Sequence, residues 1–254
     1  MFAKERQDKI FALLQQNGAV TTVDLVNTFE VSIETIRRDL LYMEQNMLLK
    51  RVHGGAVSVG EMIAFHDLDH RVGEHSDLKK ELSEIAVKFI KEGDIVGVDA
   101  GSTAILFAEA LKRHFSRLTI VTYSTDVFDI LSRHQNFDVI VCGGHFNREE
   151  NAFYGDLVLD MLNRLHMQKS FLFPSAVSLK FGIGDFQQDF CQAQRKLIEG
   201  SDSIYILADS SKYEKNALLK LDDMKTEYTY ITDSRLSPDL KRIYMENNIR
   251  IFAE

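Results

Sequence analysis

From about residue 78 onward, short apolar runs alternate with longer amphipathic stretches, and this alternation restricts the chain more than any other feature of its sequence. IVGVD, LTIVT, FDVIVC, KSFLF and SIYILAD are nearly continuous apolar segments of strand length, and YTYIT is a weaker one. Runs without polar alternation suit strands covered on both faces. Before the first of them, SDLKKELSEIAVKFIKEG puts Leu82, Ile85, Ala86, Phe89 and Ile90 on one helical face and stops at Gly93. Further helices are expected near 104–114, 125–133, 156–165 and 189–200, and Pro238 opens a last one before RIFAE. Strands that alternate with helices build βαβ units, so the fold class is α/β with a mostly parallel sheet.

Ligands of such sheets bind beyond the carboxyl ends of the strands. Those ends carry Asp99-Ala100-Gly101-Ser102-Thr103, Thr122-Tyr123-Ser124-Thr125, Cys142-Gly143-Gly144 and Asp209-Ser210-Ser211-Lys212. Gly-Ser-Thr opening a helix offers free N–H groups and hydroxyls to an anion, with the helix dipole behind them. Lys212 supplies a countercharge, and Asp99 or Asp209 suits sugar hydroxyls, so a phosphorylated small molecule fits this edge. Each piece alone has an ordinary structural explanation too. Ser102 and Ser124 suit helix caps, Gly143-Gly144 a plain turn, and Lys212 with Asp209 a surface ion pair.

Charge divides the chain. The whole has 254 residues and a net charge of −8, which disfavours nonspecific coating of nucleic acid. Residues 1–57 hold 7 basic and 7 acidic side chains, so the entire excess lies beyond them. Within 1–57, Ile10, Leu13 and Leu14 share a face of one helix ended by Gly18, and Thr22 is placed to cap a second. Ser32 is the N-cap of a third, in which Ile33, Ile36, Leu40 and Met43 share a face while Glu34, Thr35, Arg38 and Tyr42 point away and Arg37 lies on the flank. Two short helices joined by a tight turn, the second with Thr and Arg near its start, form the helix-turn-helix layout. Next, LLKRVHGGAV reads as a two-stranded wing carrying Lys50, Arg51 and His53. A helical dimerisation module with a solvated Arg37-Arg38 pair satisfies the same spacing.

The run VSIETIRRDLLYMEQNMLLKRVHGGAV resembles the signature of the DeoR-type bacterial transcriptional regulators, through TIRRDL, Glu44 and the Arg51-to-Ala56 wing; Met47 stands where Gly is usual. The resemblance implies a DNA-reading unit in which Ser32, Thr35, Arg37 and Arg38 act from the recognition helix, and Arg51 and His53 from the wing. It extends through Asp99 to Thr103, Gly143-Gly144 and Ala208 to Lys212, which are similar to the family's sensor domain, itself similar in fold to sugar-phosphate isomerases. That implies a phosphorylated sugar or related metabolite as effector, a double-stranded operator as partner, and a homodimer or homotetramer. Arg71 and Lys79 or Lys80 resemble basic positions that follow the linker in the family. Departures from the family pattern are Tyr123 for Asn, Gln168 for Asp, Phe173 for Gly and Gln192 for Glu. Two lost carboxylates argue against isomerase catalysis, and two bulky residues are expected to narrow the pocket.

The expected organisation is a winged helix-turn-helix over 1–57, a linker over 58–77 and an α/β effector-sensing domain over 78–254. The expected function is a regulator, more specifically a repressor, of sugar or related carbon metabolism, and not an enzyme. The rivals are an isomerase-like enzyme with a DNA-binding head, and a regulator with a degenerate sensor that answers to a protein partner. His66, Asp67, Asp69, His70 and His75 match no standard metal spacing, Cys142 reads as a small buried residue, and no catalytic residue, metal or cofactor is expected. No apolar run reaches the roughly 20 residues of a membrane helix. MFAKERQDKI has charges where a signal peptide is apolar, so the expected location is cytoplasmic.

Overall fold

The computed structural model describes residues 2–17, 19–46, 48–52, 54–57 and 67–253, divided between two units, 1–65 and 66–254. In the first, helices α1 (Ala3–Asn17), α2 (Thr22–Phe29) and α3 (Ile33–Gln45) are joined by strands β1 (Ala19–Thr21), β2 (Lys50–Val52) and β3 (Gly55–Val57). β3 is central and antiparallel to both neighbours, which is a winged helix-turn-helix. The apolar spacing buries Ile10, Leu14, Leu25, Phe29, Ile36, Leu40 and Met43 together. The cap of α2 is Thr21 rather than Thr22: its hydroxyl accepts the Asp24 N–H at 3.1 Å. Ile33 departs from expectation, being 44% exposed. It is the first residue of α3, at the edge of the stretch that the other helices cover.

A core-facing place on α3 goes instead to a charged residue. Asp39 is buried and receives Arg6 Nε at 2.5 Å and Gln7 Nε2 at 2.9 Å. Taking one partner away leaves the other charge buried and alone, so this pair fixes α3 against α1. The glycines of the wing have separate reasons. Gly54 turns at φ +88°, and a Cβ on Gly55 would strike the backbone of Val20 on β1. Gly18, Met47 and His53 lie outside the described residues.

The second unit begins earlier than the sequence suggested. Within the stretch expected to be a linker stand α4 (Leu68–Gly73), capped by Asp67 through the His70 N–H at 3.0 Å, and the start of α5 (Ser76–Ala86). Next come β4 (Ile95–Val98), α6 (Ser102–His114), β5 (Thr119–Thr122), α7 (Thr125–Leu131) and β6 (Asp138–Val141). A hairpin, β7 (His145–Asn147) and β8 (Ala152–Tyr154), precedes α8 (Asp156–Leu162) and β9 (Met167–Leu172). Then follow β10 (Ala176–Ser178), β11 (Gly182–Asp185), α9 (Gln188–Glu199), β12 (Ser201–Leu207), β13 (Leu219–Asp222), β14 (Thr229–Ile231), α10 (Pro238–Glu246) and β15 (Ile251–Phe252).

Seven strands form one sheet in the order β15-β14-β12-β9-β4-β5-β6, every pairing parallel. Successive residues feed opposite faces. Phe171, Tyr205 and Leu207 pack with α5, α6 and α7, whereas Leu172, Ile204 and Ile206 join the core on the other face. The chain runs outward from β4 through β5 to β6, then returns to β9 on β4's other side. The crevice of such a sheet opens where the two directions part, at the carboxyl ends of β4 and β9. The hairpin and a small antiparallel sheet, β10-β11-β13, flank it in sequence and were not foreseen.

Candidate functional site

The candidate functional residues form two groups, one in each unit. On α3, the Ser32 hydroxyl accepts the Thr35 N–H at 3.2 Å and lies 2.9 Å from the Thr35 hydroxyl, so both polar tips fix the helix start. Arg37 leans on Glu34 at 2.8 Å, an exposed pair of little energetic weight. Arg38 is exposed and has no ion-pair partner among the described residues. Glu44 receives the Arg51 N–H at 2.8 Å, and its second oxygen stands 3.8 Å from Arg51 Nε. It thus ties the wing to the last turn of α3, which gives a structural reason for an acid at that place. Tyr42 is also exposed on this helix.

In the second unit, four strand ends meet around Asp99. Its buried carboxylate receives the Ala100 N–H at 2.7 Å, the Phe173 N–H at 3.0 Å, Gln194 Nε2 at 3.0 Å and the Tyr123 hydroxyl. Four donors fill the acceptor positions of a carboxylate, so Asp99 has none left for a sugar hydroxyl. Burial pushes its pKa up to about 6, against the pull of these donors. Gln194 also donates to Asp185 at 3.0 Å, and Asp185 accepts the Ser175 hydroxyl at 2.8 Å. Asp99 therefore anchors a buried network that joins the ends of β4, β5, β9 and β11.

The two bulky departures lie on opposite faces of the sheet. Tyr123 is fully buried, its ring stacked on Phe190 with centroids 6.1 Å apart. Phe173 turns into the other core, 5.7 Å from Phe107. The Thr122 hydroxyl accepts the Ser124 N–H at 3.1 Å, and Ser124 caps α7 through the Val127 N–H at 3.3 Å. Both are buried and shape the turn. A side chain at Gly143 would meet nothing within 4 Å, whereas one at Gly144 would stand 2.6 Å from the Tyr154 carbonyl oxygen.

The start of α6 is different. Gly101, at φ +116°, precedes Ser102 and Thr103, and α6 has no side-chain cap on its first N–H groups. The Thr103 hydroxyl is buried without a hydrogen-bond partner. An Arg71 guanidinium nitrogen lies 3.9 Å from where a Gly101 Cβ would stand. That guanidinium is held by Glu150, buried in the loop after β7, at 2.5 and 2.6 Å. Lys79 is buried, its ammonium donating to the Arg71 and Glu74 carbonyls, and burial together with the Lys212 charge pushes its pKa down to about 8. Lys212 donates to the Pro174 carbonyl at 2.8 Å; burial lowers its pKa and the Arg71 charge adds to this, while Asp209, Asp185 and Asp99 oppose it. Three cations thus stand within electrostatic reach of one another, and one of them, Arg71, lies beside an open helix start. Only Lys212 was expected there from strand-end position; resemblance alone pointed to Arg71 and Lys79.

Of the two glutamines at the family's carboxylate positions, Gln168 lies away from this edge. Gln168 sits at the amino end of β9, its amide oxygen accepting the Ile95 N–H at 2.8 Å. Gln192 lies off the buried face of α9, from which Gln194 reaches Asp99. The identity of residue 168 therefore carries no weight for or against chemistry at the crevice. Cys142 is buried, and burial pushes its thiol up to about 11. No group of three or more metal-capable side chains gathers among the described residues; His70 leans on Glu74 at 3.7 Å, and His66 lies outside them.

A winged helix-turn-helix followed by a parallel α/β unit with a cation-rich crevice defines a two-part regulatory protein. The DeoR-like helix-turn-helix domain matches residues 6–61, and the DeoR C terminal sensor domain matches residues 74–234. The chain belongs to the DeoR family of DNA-binding transcriptional regulators. It is 31% identical to the L-fucose operon activator of Haemophilus influenzae, over 96% of this chain and 97% of that one. It is 26% identical to the glycerol-3-phosphate regulon repressor of Escherichia coli K12, over 97% of both. Among solved structures it is similar to ribose 5-phosphate isomerase A from Neisseria gonorrhoeae, with 20% identity over 59% of this chain and 57% of that one, and a TM-score of 0.43. Among the described residues, no helix is long and apolar enough to cross a membrane.

Proposed function

We propose that the second unit senses a phosphorylated sugar or a related phosphorylated metabolite, and that its binding changes how the first unit holds an operator. One observation carries this reading: the Arg71 guanidinium stands beside Gly101 at the uncapped start of α6, Lys79 and Lys212 are electrostatically coupled to it, and the Thr103 hydroxyl there is buried without a partner. A dianionic phosphate is matched by such a set, with main-chain N–H groups from Ser102 and Thr103 beneath it. The names of the two regulators above refer to an L-fucose operon and a glycerol-3-phosphate regulon, which suits a role in sugar or related carbon metabolism.

On this reading Ser102, Thr103, Gly101 and Lys212 face the phosphate, Gly143 leaves room for the sugar, and Asp99, Tyr123, Thr122, Ser124 and Gly144 hold the crevice in shape. The role is sensing, with no turnover. A reading head of about 57 residues makes few contacts, so pairs or tetramers on repeated half-sites are the working form, and repression is the sign of control. An effector alters DNA affinity only through unequal binding to the two states. The test is calorimetric titration with pentose, hexose and triol phosphates beside the matching unphosphorylated compounds. At least one phosphate binds while its unphosphorylated counterpart does not, and Ser102→Ala with Lys212→Ala removes the heat. Equal binding of both forms, or none at millimolar concentration, refutes the proposal.

A further inference from the structure

We infer that Ile33 is a specificity-determining residue of the reading head, and that it recognises the C5 methyl group of a thymine in the major groove. The inference rests on DNA reading by α3 and goes beyond it, because it assigns a base to one side chain. Four side chains form the start of that helix, and three already have partners within the protein. The Ser32 and Thr35 hydroxyls lie 2.9 Å apart, and Glu34 is paired with Arg37 at 2.8 Å. Ile33 is the exception. It is apolar and β-branched, it is 44% exposed, and the core cluster of this unit does not include it.

Helical spacing would let Ile33 continue the buried row of Ile36, Leu40 and Met43, but its position at the helix start leaves it exposed. The first turn is the part of a recognition helix that comes nearest to base edges. On those edges the one projecting apolar group is the thymine methyl; the nitrogen and oxygen positions each offer a donor or an acceptor. Arg38, exposed one turn further on, is suited to guanine or phosphate. Ile33 therefore specifies a thymine in each half-site, whichever of the two Arg38 takes.

The test uses the full chain. Sites are first selected from a randomised duplex pool, and each thymine of the enriched site is then replaced in turn by deoxyuracil, which lacks only the methyl group. The wild type loses about fourfold in affinity at one thymine per half-site, the worth of one buried methyl. Ile33→Ala binds the thymine and deoxyuracil forms equally, while Ile33→Val keeps the discrimination. Wild-type indifference to deoxyuracil at every thymine overturns the assignment, and so does an Ile33→Ala protein that still discriminates. A change in the assembly size of Ile33→Ala also overturns it, by giving the residue to a protein contact. A pool that yields no enriched site fails earlier, and overturns DNA reading itself.

Discussion

Replacing Tyr123 by phenylalanine removes one oxygen atom and tests whether the buried Asp99 network is electrostatic in character. The ring keeps its stacking on Phe190, so no cavity of consequence opens. What is lost is a hydrogen bond to a charged group, worth about 1.5–3 kcal/mol. In the wild type, Asp99 has a pKa raised from 3.8 to about 6. The native state thus binds the proton more tightly than the unfolded chain does. The stability Asp99 contributes is fully present below pH 3.8 and is lost as pH rises through 6, roughly 3 kcal/mol in all. Without the tyrosine hydroxyl the ionised form is worse off by about one to two pH units, and the decline extends toward neutrality. The expected destabilisation is therefore about 1 kcal/mol at pH 5, where the carboxyl is protonated in both proteins, and about 1.5–3 kcal/mol at pH 8.

Urea unfolding followed by tyrosine emission measures this directly. The chain has no tryptophan, and of its 8 tyrosines only Tyr42 lies in the first unit. For a unit of this size the loss at pH 8 lowers the midpoint temperature by about 3–12 °C. An identical loss at pH 5 and pH 8, or none at pH 8, refutes the reasoning.

Three further outcomes are expected. Arg38→Ala abolishes specific retention of the selected duplex in gel shift while stability stays within about 0.5 kcal/mol, as for other exposed positions. Arg6→Ala strands Asp39 in the core at a cost of roughly 3–5 kcal/mol; DNA retention disappears while calorimetric binding of the sugar phosphate persists. Binding of a phosphate monoester weakens as pH rises past about 8, because Lys79, held down to about 8, loses the charge that the anion favours. Proton uptake on binding, read by calorimetry in two buffers above pH 8, checks this, and the absence of uptake contradicts it.

Much of the fold was legible because buried parallel strands and amphipathic helices leave strong local patterns. The strand ends followed from topology, so the Gly101-to-Thr103 turn and Lys212 were legible too. The short elements were not. β10, β11 and β13 have three or four residues each, with two glycines in β11, too few for any period to emerge. α4 is six residues long and was hidden in a stretch without sustained pattern. Long-range partnerships escaped altogether. Asp39 gave no hint of Arg6, 33 residues earlier, nor Arg71 of Glu150, 79 residues later. Tyr123 was read as an obstacle in the crevice because its size is visible in the sequence, whereas the direction of its ring and its bond to Asp99 are not.

Glu44 has a consequence for how the first unit can change its target. Its carboxylate accepts the Arg51 N–H at 2.8 Å and so ties the wing to the last turn of α3. On the reading that α3 and the wing both meet the duplex, this tie couples the spacing between their contacts to the protein. New base preferences are open to single substitutions at exposed α3 positions. A new spacing is not, since it requires Glu44, Arg51 and the close fit of Gly55 against Val20 to change together.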